Sequence, residues 1–340
     1  MKILHIIPGE ITYIYAFLKM MSWHKDWEDE HIFYAMLHKE RAIKYFPRLL
    51  VMKELNYIDD NEKKIDKNLK NMIKESDKII WHSFIRIPDS YKKFLSRHPS
   101  LIKKSYWCMC SQEIEYLQKK RLDSIKVVSY WMEYFLDKIT IISPSCLYDG
   151  LINKYATNVL GGEYPYPYCY NRQMESVLIN KLEKYPSYRN ISQIGFSASI
   201  INEHNILLKV LEAKNQFKKK YTIPLKYADY VIGNQIDVEI PKKIADYLYA
   251  RDCEVIFLNR TVPSYNYLSY LNSLEEIYIG EVPAMAINSL LCLGYLNKDI
   301  YYCGKNMELI NFNFNAWAVK EFDIEYIINQ WRILYKNMGV

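Results

Sequence analysis

Short apolar runs alternate with longer segments of helical periodicity along most of this chain. Apolar runs of about four to eight residues that end at turn-forming residues are typical of buried strands. In the first half they predict strands over residues 3–7, 31–36, 78–84, 104–110 and 139–143. Helical periodicity lies between them, most clearly over 63–76 and 113–135, and Pro144 and Ser145 are suited to open a further helix.

The alternation stops near residue 161 and then restarts. Residues 163–170 are Glu-Tyr-Pro-Tyr-Pro-Tyr-Cys-Tyr, and the alternating prolines exclude both a helix and a central strand. Strands are predicted again over 193–196, 221–226, 254–258, 276–280 and 299–303. Helices are predicted over 203–218, 242–250, 264–273, 285–296 and 323–336. The pattern predicts an α/β fold of two doubly wound, Rossmann-like halves that face each other across a cleft. The first domain would span 1–162, a connector 163–190 and the second domain 191–340.

Composition narrows the class of protein. Hydrophobic residues make up 50% of the 340 residues and the formal net charge is +6, which excludes a disordered chain and does not indicate a nucleic-acid binder. No window holds the roughly 18 uncharged apolar residues of a membrane-spanning helix, and Pro8 and Gly9 interrupt the apolar start. We therefore expect a cytoplasmic protein that is peripheral to a membrane at most.

The cysteine and tyrosine contents do not point to a particular kind of site. The seven cysteines form no CxxC pair, and Cys108 and Cys110 have no further soft ligands nearby, so we interpret the thiols as reduced packing residues and expect no metal site. The 32 tyrosines reflect either an A+T-rich genome or rings that line a sugar-binding or membrane-interface surface, and the sequence leaves both open.

The strongest local signal for binding lies in the second half. A predicted strand ends in small residues at 195–199, and Asn202, Glu203 and His204 then begin an amphipathic helix with Asn202 as its N-cap. Free backbone N–H groups at such a helix start favour an anion, to which His204 could donate. The alternative is a capped surface helix in which Glu203 only complements the helix dipole.

The order of elements after residue 254 resembles the donor half of the GT-B glycosyltransferases. That resemblance implies that the loop after the first strand and the helix at 284–296 hold a nucleotide diphosphate, and that the loop at 259–263 flanks the base. Many relatives carry a second Glu at the position of Ser289. The donor-binding residues implied in this way are Ser197, Asn202, Glu203, His204, Asn259, Arg260, Glu281, Met285, Ala286, Asn288 and Ser289.

A closer resemblance covers most of the chain. The segment Trp-Cys-Met-Cys-Ser-Gln-Glu at 107–113, the Asn-Glu-His helix start and the segment 277–301 occur in the order found in the 4-acetamido-4,6-dideoxygalactose (TDP-fucosamine) transferases. That family implies a nucleotide-sugar donor, a lipid-linked saccharide acceptor at the inner membrane face, no metal or other cofactor, and retention of anomeric configuration. Relatives have different residues at Cys108, Cys110 and Ser111.

Three residues of the first half are candidates for acceptor chemistry. Glu10 and Glu113 each follow a predicted strand, His82 lies near the carboxyl end of the strand predicted over 78–84, and Glu113 falls on an acidic position of the family. A carboxylate there could accept the proton of the acceptor hydroxyl or orient that hydroxyl. The alternatives are a buried, satisfied histidine for His82 and helix N-terminal charges for the two glutamates.

A basic amphipathic segment spans residues 63–78. Six lysines recur there with Ile65, Leu69 and Ile73 at helical spacing, so the helix could lie on anionic lipid headgroups. The alternative is a surface helix whose apolar stripe packs on the protein, and acidic residues in and next to the segment dilute its charge, namely Glu62, Asp66, Glu75 and Asp77.

Three functional hypotheses follow. The first is a glycosyltransferase of bacterial surface-polysaccharide synthesis that moves a sugar, such as an acetamido-deoxy sugar, from a nucleotide-diphosphate donor to a glycan or lipid-linked saccharide. The second is a nucleotide-sugar epimerase on the same scaffold, which needs no acceptor. The third is a non-catalytic glycan-binding protein, for which the departures at Cys108, Cys110 and Ser289 leave room.

Overall fold

A computed structural model gives the fold, and its strands form two sheets. It describes residues 1–8, 17–18, 20–22, 24, 26–38, 55–58, 66–84, 87–110, 113–114, 117, 126–143, 146–161, 190–195, 209, 211–212, 217–225, 239–258, 264–279, 290, 292–294, 296–303, 309–312 and 324–339. The strands of the first sheet are β1 (Lys2–Pro8), β2 (Glu30–His38), β3 (Leu55–Ile58), β4 (Lys78–His82), β5 (Ser105–Cys108), β6 (Thr140–Ile142) and β7 (Val159–Leu160). Those of the second are β8 (Ile191–Ile194), β9 (Lys220–Pro224), β10 (Glu254–Leu258), β11 (Glu276–Ile279), β12 (Asp299–Cys303) and β13 (Leu309–Phe312).

Helices connect the strands. In chain order, the described helices are α1 (Lys67–Glu75), α2 (Asp89–Ser96), α3 (Pro99–Lys103), α4 (Lys126–Leu136), α5 (Cys146–Ile152), α6 (Glu239–Tyr249), α7 (Ser264–Ser273) and α8 (Ile324–Gly339). Asp66 caps α1 because its carboxylate accepts the backbone N–H of Asn68 at 2.6 Å.

Both sheets have the same winding. The first has the order β3-β2-β1-β4-β5-β6-β7 with every pair parallel, and the second has β10-β9-β8-β11-β12-β13, parallel except for the β12–β13 pair. Numbered within each half, both contain the order 3-2-1-4-5-6, which is the Rossmann arrangement. The prediction of an α/β fold with two doubly wound, Rossmann-like domains is confirmed. That the halves face each other across a cleft stays a prediction.

The central strands are apolar because helices cover parallel sheets on both faces. In β1, Ile3, Leu4 and Ile6 are fully buried, and β4 and β5 are buried almost throughout. The second core is built in the same way, around Ile194, Tyr221 and Tyr278. Each sheet is therefore a rigid frame that positions the residues at its strand ends.

The elements that the sequence pattern missed are short. β3, β7 and β13 have four, two and four residues, and α2 and α3 have eight and five, so they carry too little periodicity to be recognised. Tertiary pairing rather than local pattern defines them.

The last helix differs from the predicted domain division. The chain separates into Met1–Asn171 with Ile324–Val340 and into Arg172–Asp323, whereas the sequence placed 324–340 in the second domain. The reason is packing, since the rings of Trp331 and Phe17 lie 4.9 Å apart and those of Tyr335 and His31 lie 4.7 Å apart. The hydroxyl of Tyr106 on β5 also donates to the carbonyl of Met338 at 3.4 Å. α8 is thus part of the first unit.

Candidate functional site

In each sheet the strand order reverses next to the first strand, so that successive strands are added on its other side. β1 lies between β2 and β4, and β8 lies between β9 and β11. In open parallel sheets, ligands bind outside the carboxyl ends of the strands at such a switch point. His82 is the last residue of β4, and Gly195 directly follows β8, so these positions mark the two candidate sites.

A buried carboxylate joins the segments that follow β4 and β5. Glu113 Oε1 accepts the hydroxyl of Ser83 at 3.0 Å and the backbone N–H of Phe84, and Oε2 accepts the backbone N–H of Cys110 at 2.7 Å. Ser83 has φ 78°, a left-handed conformation that costs energy in a residue with a side chain. Glu113 therefore holds the shape of the carboxyl edge and contacts the residue that follows His82.

The charge of Glu113 acts on two neighbours. Burial raises the pKa of the Cys108 thiol well above its usual value, and the nearby Glu113 raises it further. Burial lowers the pKa of Lys92, whose side chain is 3% exposed, while Asp89 and Glu113 oppose that shift. Cys108 and Cys110 are buried and form no disulfide, and the raised pKa of Cys108 keeps its thiol protonated at neutral pH.

His82 belongs to a row of three imidazoles. Its Nε2 lies 3.0 Å from Nδ1 of His5 on β1, and Nε2 of His5 lies 3.0 Å from Nδ1 of His31 on β2. Burial lowers the pKa of His82 to about 3 and that of His31 to about 4, with Asp29 partly opposing the shift at His31. Burial, followed by the two neighbouring imidazoles, lowers the pKa of His5 well below its usual value. All three rings are therefore neutral at pH 7.

The second switch point is fixed by neutral polar groups. Gly195 has φ 68°, which glycine adopts without strain, and its N–H donates to the carbonyl of Tyr278 at 2.8 Å. Gln193 Nε2 donates to the Gly195 carbonyl at 2.7 Å, and Gln193 Oε1 accepts the hydroxyl of Tyr270 at 2.7 Å. The Tyr270 hydroxyl also lies 2.6 Å from Thr222 Oγ1. This network sets the direction in which the chain leaves β8.

Most sequence-predicted site residues lie outside the described residues. Of the acceptor-side candidates, His82 and Glu113 are described and Glu10 is not. The undescribed donor-side candidates are Ser197, Asn202, Glu203, His204, Asn259, Arg260, Glu281, Met285, Ala286, Asn288 and Ser289. Their roles stay predictions.

Part of the basic segment at 63–78 forms helix α1. Leu69 and Ile73 are buried, so the apolar stripe of this helix packs on the protein, while Lys67 and Lys74 are exposed. Within the described part of the chain, no helix combines the length and apolar character needed to cross a membrane. The same residues contain no cluster of three or more His, Cys, Asp or Glu arranged to hold a metal ion.

Sequence reasoning missed His5 and His31. Both lie inside predicted strands, where a single histidine gives no sign of a partner. The register aligns His5 with Phe33 and with Ile80, which are each two positions from His31 and His82, and residues two apart share a face. Strand order and register, which no periodicity reveals, bring the three rings together.

Comparisons with known proteins give distant structural similarities. No protein-family model matches the chain, and no curated protein matches it. UDP-GlcNAc 2-epimerase from Neisseria meningitidis, bound to UDP-GlcNAc, is 11% identical, with 99% of this chain and 92% of that chain covered and a TM-score of 0.49. A glycosyltransferase from Rickettsia africae is 10% identical, with 88% and 78% covered and a TM-score of 0.48. Sucrose-phosphate synthase from Thermosynechococcus elongatus is 9% identical, with 88% and 80% covered and a TM-score of 0.48. The strand orders described above, rather than these similarities, establish the fold.

Proposed function

We propose that this chain is a glycosyltransferase. It would move a sugar from a nucleotide-diphosphate donor to a glycan or lipid-linked saccharide acceptor in bacterial surface-polysaccharide synthesis, with retention of configuration and without a metal. The observation that carries the proposal is the pair of Rossmann-type sheets in one chain, each with its own switch point. Two ligand sites on one chain suit a reaction that joins two substrates.

The second unit is assigned the donor. The turn at Gly195 directs the chain toward the segment where the resemblance places Ser197 and the Asn202–Glu203–His204 helix start. Helix N-terminal N–H groups and His204 would supply the positive potential for a diphosphate. In this proposal the loop at 259–263 flanks the base, and residues 281–289 contact the diphosphate and ribose.

The first unit is assigned the acceptor. Hydrogen bonds to both Glu113 oxygens favour a role in which this carboxylate holds the edge of the site rather than one in which it takes a proton. His82 at the end of β4, and Glu10, which follows β1 by two positions in the sequence, are then the candidates that receive the proton of the acceptor hydroxyl. The exposed lysines of α1 would contact anionic lipid next to a lipid-linked acceptor, as a peripheral and cytoplasmic arrangement.

Calorimetric titration of TDP, UDP, GDP and CMP tests the donor assignment. We expect one of them to bind, and to bind more weakly to Gly195→Ala, because a Cβ at φ 68° costs about 1–2 kcal/mol and displaces the turn. Gly150→Ala is the matched control, since a Cβ there meets nothing within 4 Å. Failure of all four nucleotides to bind would remove the donor site.

A donor panel with lipid extracts, analysed by mass spectrometry, tests the reaction. We expect the mass of an acceptor lipid to increase by one sugar, with EDTA having no effect. Conversion of a nucleotide sugar without any acceptor would instead identify an epimerase. Glycan binding without transfer or donor hydrolysis would identify a non-catalytic binding protein.

A further inference from the structure

Helix α8 covers part of the imidazole row of the first sheet. The ring of Tyr335 lies 4.7 Å from that of His31 and 6.2 Å from that of His5. Tyr335 and its neighbour Trp331 are both buried in this contact with the first unit. A charged imidazole needs water or an opposite charge around it. His5 and His31 can therefore gain a full hydration shell only if α8 moves away.

The helix and the strands beneath it are held in different ways. β1 is paired with β2 at seven positions and with β4 at four, so these strands are fixed by backbone ladders. α8 is held by side chains, as where the Tyr106 hydroxyl donates to the Met338 carbonyl at 3.4 Å and the Tyr335 hydroxyl lies 3.7 Å from Met21 Sδ. Parts of a protein open separately according to how much backbone pairing and packing each one loses. α8 can thus leave the sheet while the strands stay paired.

The geometry of the row limits the number of protons that it can hold. Two nitrogen–nitrogen contacts of 3.0 Å join the rings of His31, His5 and His82, and each contact has room for one proton between its two nitrogens. Four of the six ring nitrogens belong to these contacts. The intact row therefore holds at most four protons, one more than three neutral rings carry, whereas three separate imidazolium rings hold six. Any further proton sets two N–H groups against each other and breaks the row.

The charged groups near His31 do not compensate for its burial. The Asp29 carboxylate favours the cation of His31 and the Met1 amino group opposes it, yet burial dominates and lowers the pKa of His31 to about 4. The ring of Trp27 lies 5.7 Å from that of His31, and the guanidinium of Arg332 on α8 lies 5.9 Å from the Trp27 ring. α8 therefore brings a positive charge rather than a negative one to this end of the row.

No negative charge offsets the burial of the inner rings among the described residues that contact them. The side chains around His5 and His82 are those of Phe17, Phe33, Tyr335 and Cys108. Burial raises the pKa of Cys108 and of Tyr335, so both are uncharged at neutral pH. The nearby carboxylate of Glu113 bonds to Ser83. Protons taken up by the row are thus stabilised by hydration once the cover has opened.

We propose that α8 is an acid-released latch, which leaves the first sheet when His5 and His31 take up protons and returns when they lose them. A hydrated imidazole titrates near pH 6.5, so below about that pH the released form binds more protons than the closed form and becomes more favourable. The chain passes from the first unit to the second after Asn171 and returns before Ile324. Release therefore frees one of the two chain connections between the units, and it does not depend on the proposed glycosyltransferase activity.

Hydrogen exchange of the full chain, followed by mass spectrometry at pH 7, 6 and 5, tests the latch. The exchange is corrected for the pH dependence of the intrinsic rate. The protection of α8 should then fall by about 10²–10³ between pH 7 and pH 5, because each of two hydrated imidazoles contributes roughly 25-fold. β1 and β4 should remain better protected than α8 at each pH, since their ladders stay paired. Return to pH 7 should restore the protection of α8.

Variants separate the latch from general acid unfolding. His31→Phe keeps a ring beneath Tyr335 but removes one titrating group, so it should weaken the pH dependence of α8 protection by about tenfold or more. His98→Phe, at an exposed ring, and Ile333→Ala, at a side chain of α8 that is 45% exposed, are the matched controls and should keep the wild-type pH dependence.

Three results would overturn the latch. Equal loss of protection in α8, β1 and β4 would mean that acid unfolds the first unit as a whole. Wild-type pH dependence in folded His31→Phe would mean that the row does not control the helix. Constant protection of α8 between pH 7 and pH 5 in the wild-type protein would exclude the latch without any variant.

Discussion

Among the described residues, each sheet has one buried carboxylate beside it or in it, and the two lie at opposite edges. Glu113 lies past the carboxyl end of β5 in the first sheet, and Glu276 is the first residue of β11 in the second. Glu276 accepts Ser192 Oγ at 3.0 Å and Tyr278 OH at 2.7 Å, both on Oε1. Ligands bind at the carboxyl edges of parallel sheets. A buried glutamate can therefore affect a ligand site at that edge but not at the opposite one, although both sheets have the same strand order. Glu113 shapes a candidate site, whereas Glu276 joins strands away from one.

The polar groups at the two switch points also differ in kind. The first sheet places titratable imidazoles there, and the second places an amide and two hydroxyls, those of Gln193, Thr222 and Tyr270. Only the first set contains imidazoles, and burial holds the pKa of each of them below its usual value, so the two switch points respond differently to acid.

The largest expected effect is acid destabilisation of the first unit. In the unfolded chain the histidines take up protons near pH 6.5, whereas in the folded chain the pKa is about 3 at His82 and about 4 at His31. Below pH 6.5 the unfolded state binds more protons, so stability present above that pH is lost as the pH falls toward 4. Between pH 7 and pH 5 we expect a loss of about 2 kcal/mol for each of the three buried histidines.

Urea unfolding followed by tryptophan fluorescence measures this loss. Six of the seven tryptophans, all except Trp317, belong to the first unit, so the signal reports mainly that unit. His5→Phe removes one buried titrating group and should reduce the pH slope, whereas exposed His98→Phe should not. A pH-independent midpoint between pH 7 and pH 5 would contradict the neutral, buried row.

The second-largest effect is expected when the buried carboxylate of Glu113 is replaced. Hydrogen-bond donors occupy both side-chain oxygens of Glu113. The NH2 group of Glu113→Gln would therefore face a donor, and we expect the unfolding free energy to fall by about 3 kcal/mol. If the carboxyl edge holds the acceptor, turnover should fall by about 10² or more with donor affinity unchanged. Chemical denaturation and steady-state kinetics measure the two effects.

Glu276→Gln is the matched change in the other sheet. Ser192 and Tyr278 donate to one oxygen of Glu276, and glutamine keeps an acceptor oxygen for them, so we expect a smaller loss of unfolding free energy than in Glu113→Gln, about 1–2 kcal/mol, and unchanged turnover. Exposed Glu133→Gln should change neither quantity. Equal turnover losses in the Glu113 and Glu276 variants would show that the edge on which the carboxylate lies does not matter.

The sequence predicted the secondary-structure elements of the fold better than it predicted the contacts within the candidate site. β10, α7 and β12 begin and end where the sequence pattern placed them, because polar or turn-forming residues bound each pattern on both sides. The burial of His82 was foreseen as an alternative, yet its partners were not. His5 and His31 meet it only through strand order, and strand order is set by tertiary pairing rather than by local pattern.

Glu113 shows the same limit at one residue. Its position after a strand predicted a place at the carboxyl edge, but its hydrogen bonds to Ser83, Phe84 and Cys110 depend on how two loops meet. The Gln193–Tyr270–Thr222 network was not predicted either, because its members are far apart in the chain and each is ordinary alone.

A smaller effect is expected at the second switch point. Tyr270→Phe leaves Gln193 Oε1 and Thr222 Oγ1 without the Tyr270 hydroxyl, which should lower the unfolding free energy by about 1–3 kcal/mol. Because Gln193 also holds the Gly195 carbonyl, nucleotide affinity should fall several-fold while the pH dependence of unfolding stays as it was. Tyr249→Phe, at a tyrosine that is 50% exposed, is the control for calorimetry and denaturation. A Tyr270→Phe protein with wild-type stability would mean that the network does not brace the turn.

The smallest effect is expected where charge lies at the surface of the second unit. Lys220 and Glu254 begin the paired strands β9 and β10, and their charged groups lie 2.7 Å apart with the side chains 46% and 52% exposed. Water and salt screen such a pair, and holding two long side chains together costs entropy, so Lys220→Met should change the unfolding free energy by no more than about 0.5 kcal/mol. Whatever difference is found in low salt should vanish in 1 M salt, where the screening length is about 3 Å. Denaturation at the two salt concentrations measures both values. If Lys220→Met lowered the unfolding free energy as much as Glu113→Gln does, an exposed charge would matter as much as a buried one. The burial of Glu113 at the carboxyl edge would then not explain its effect.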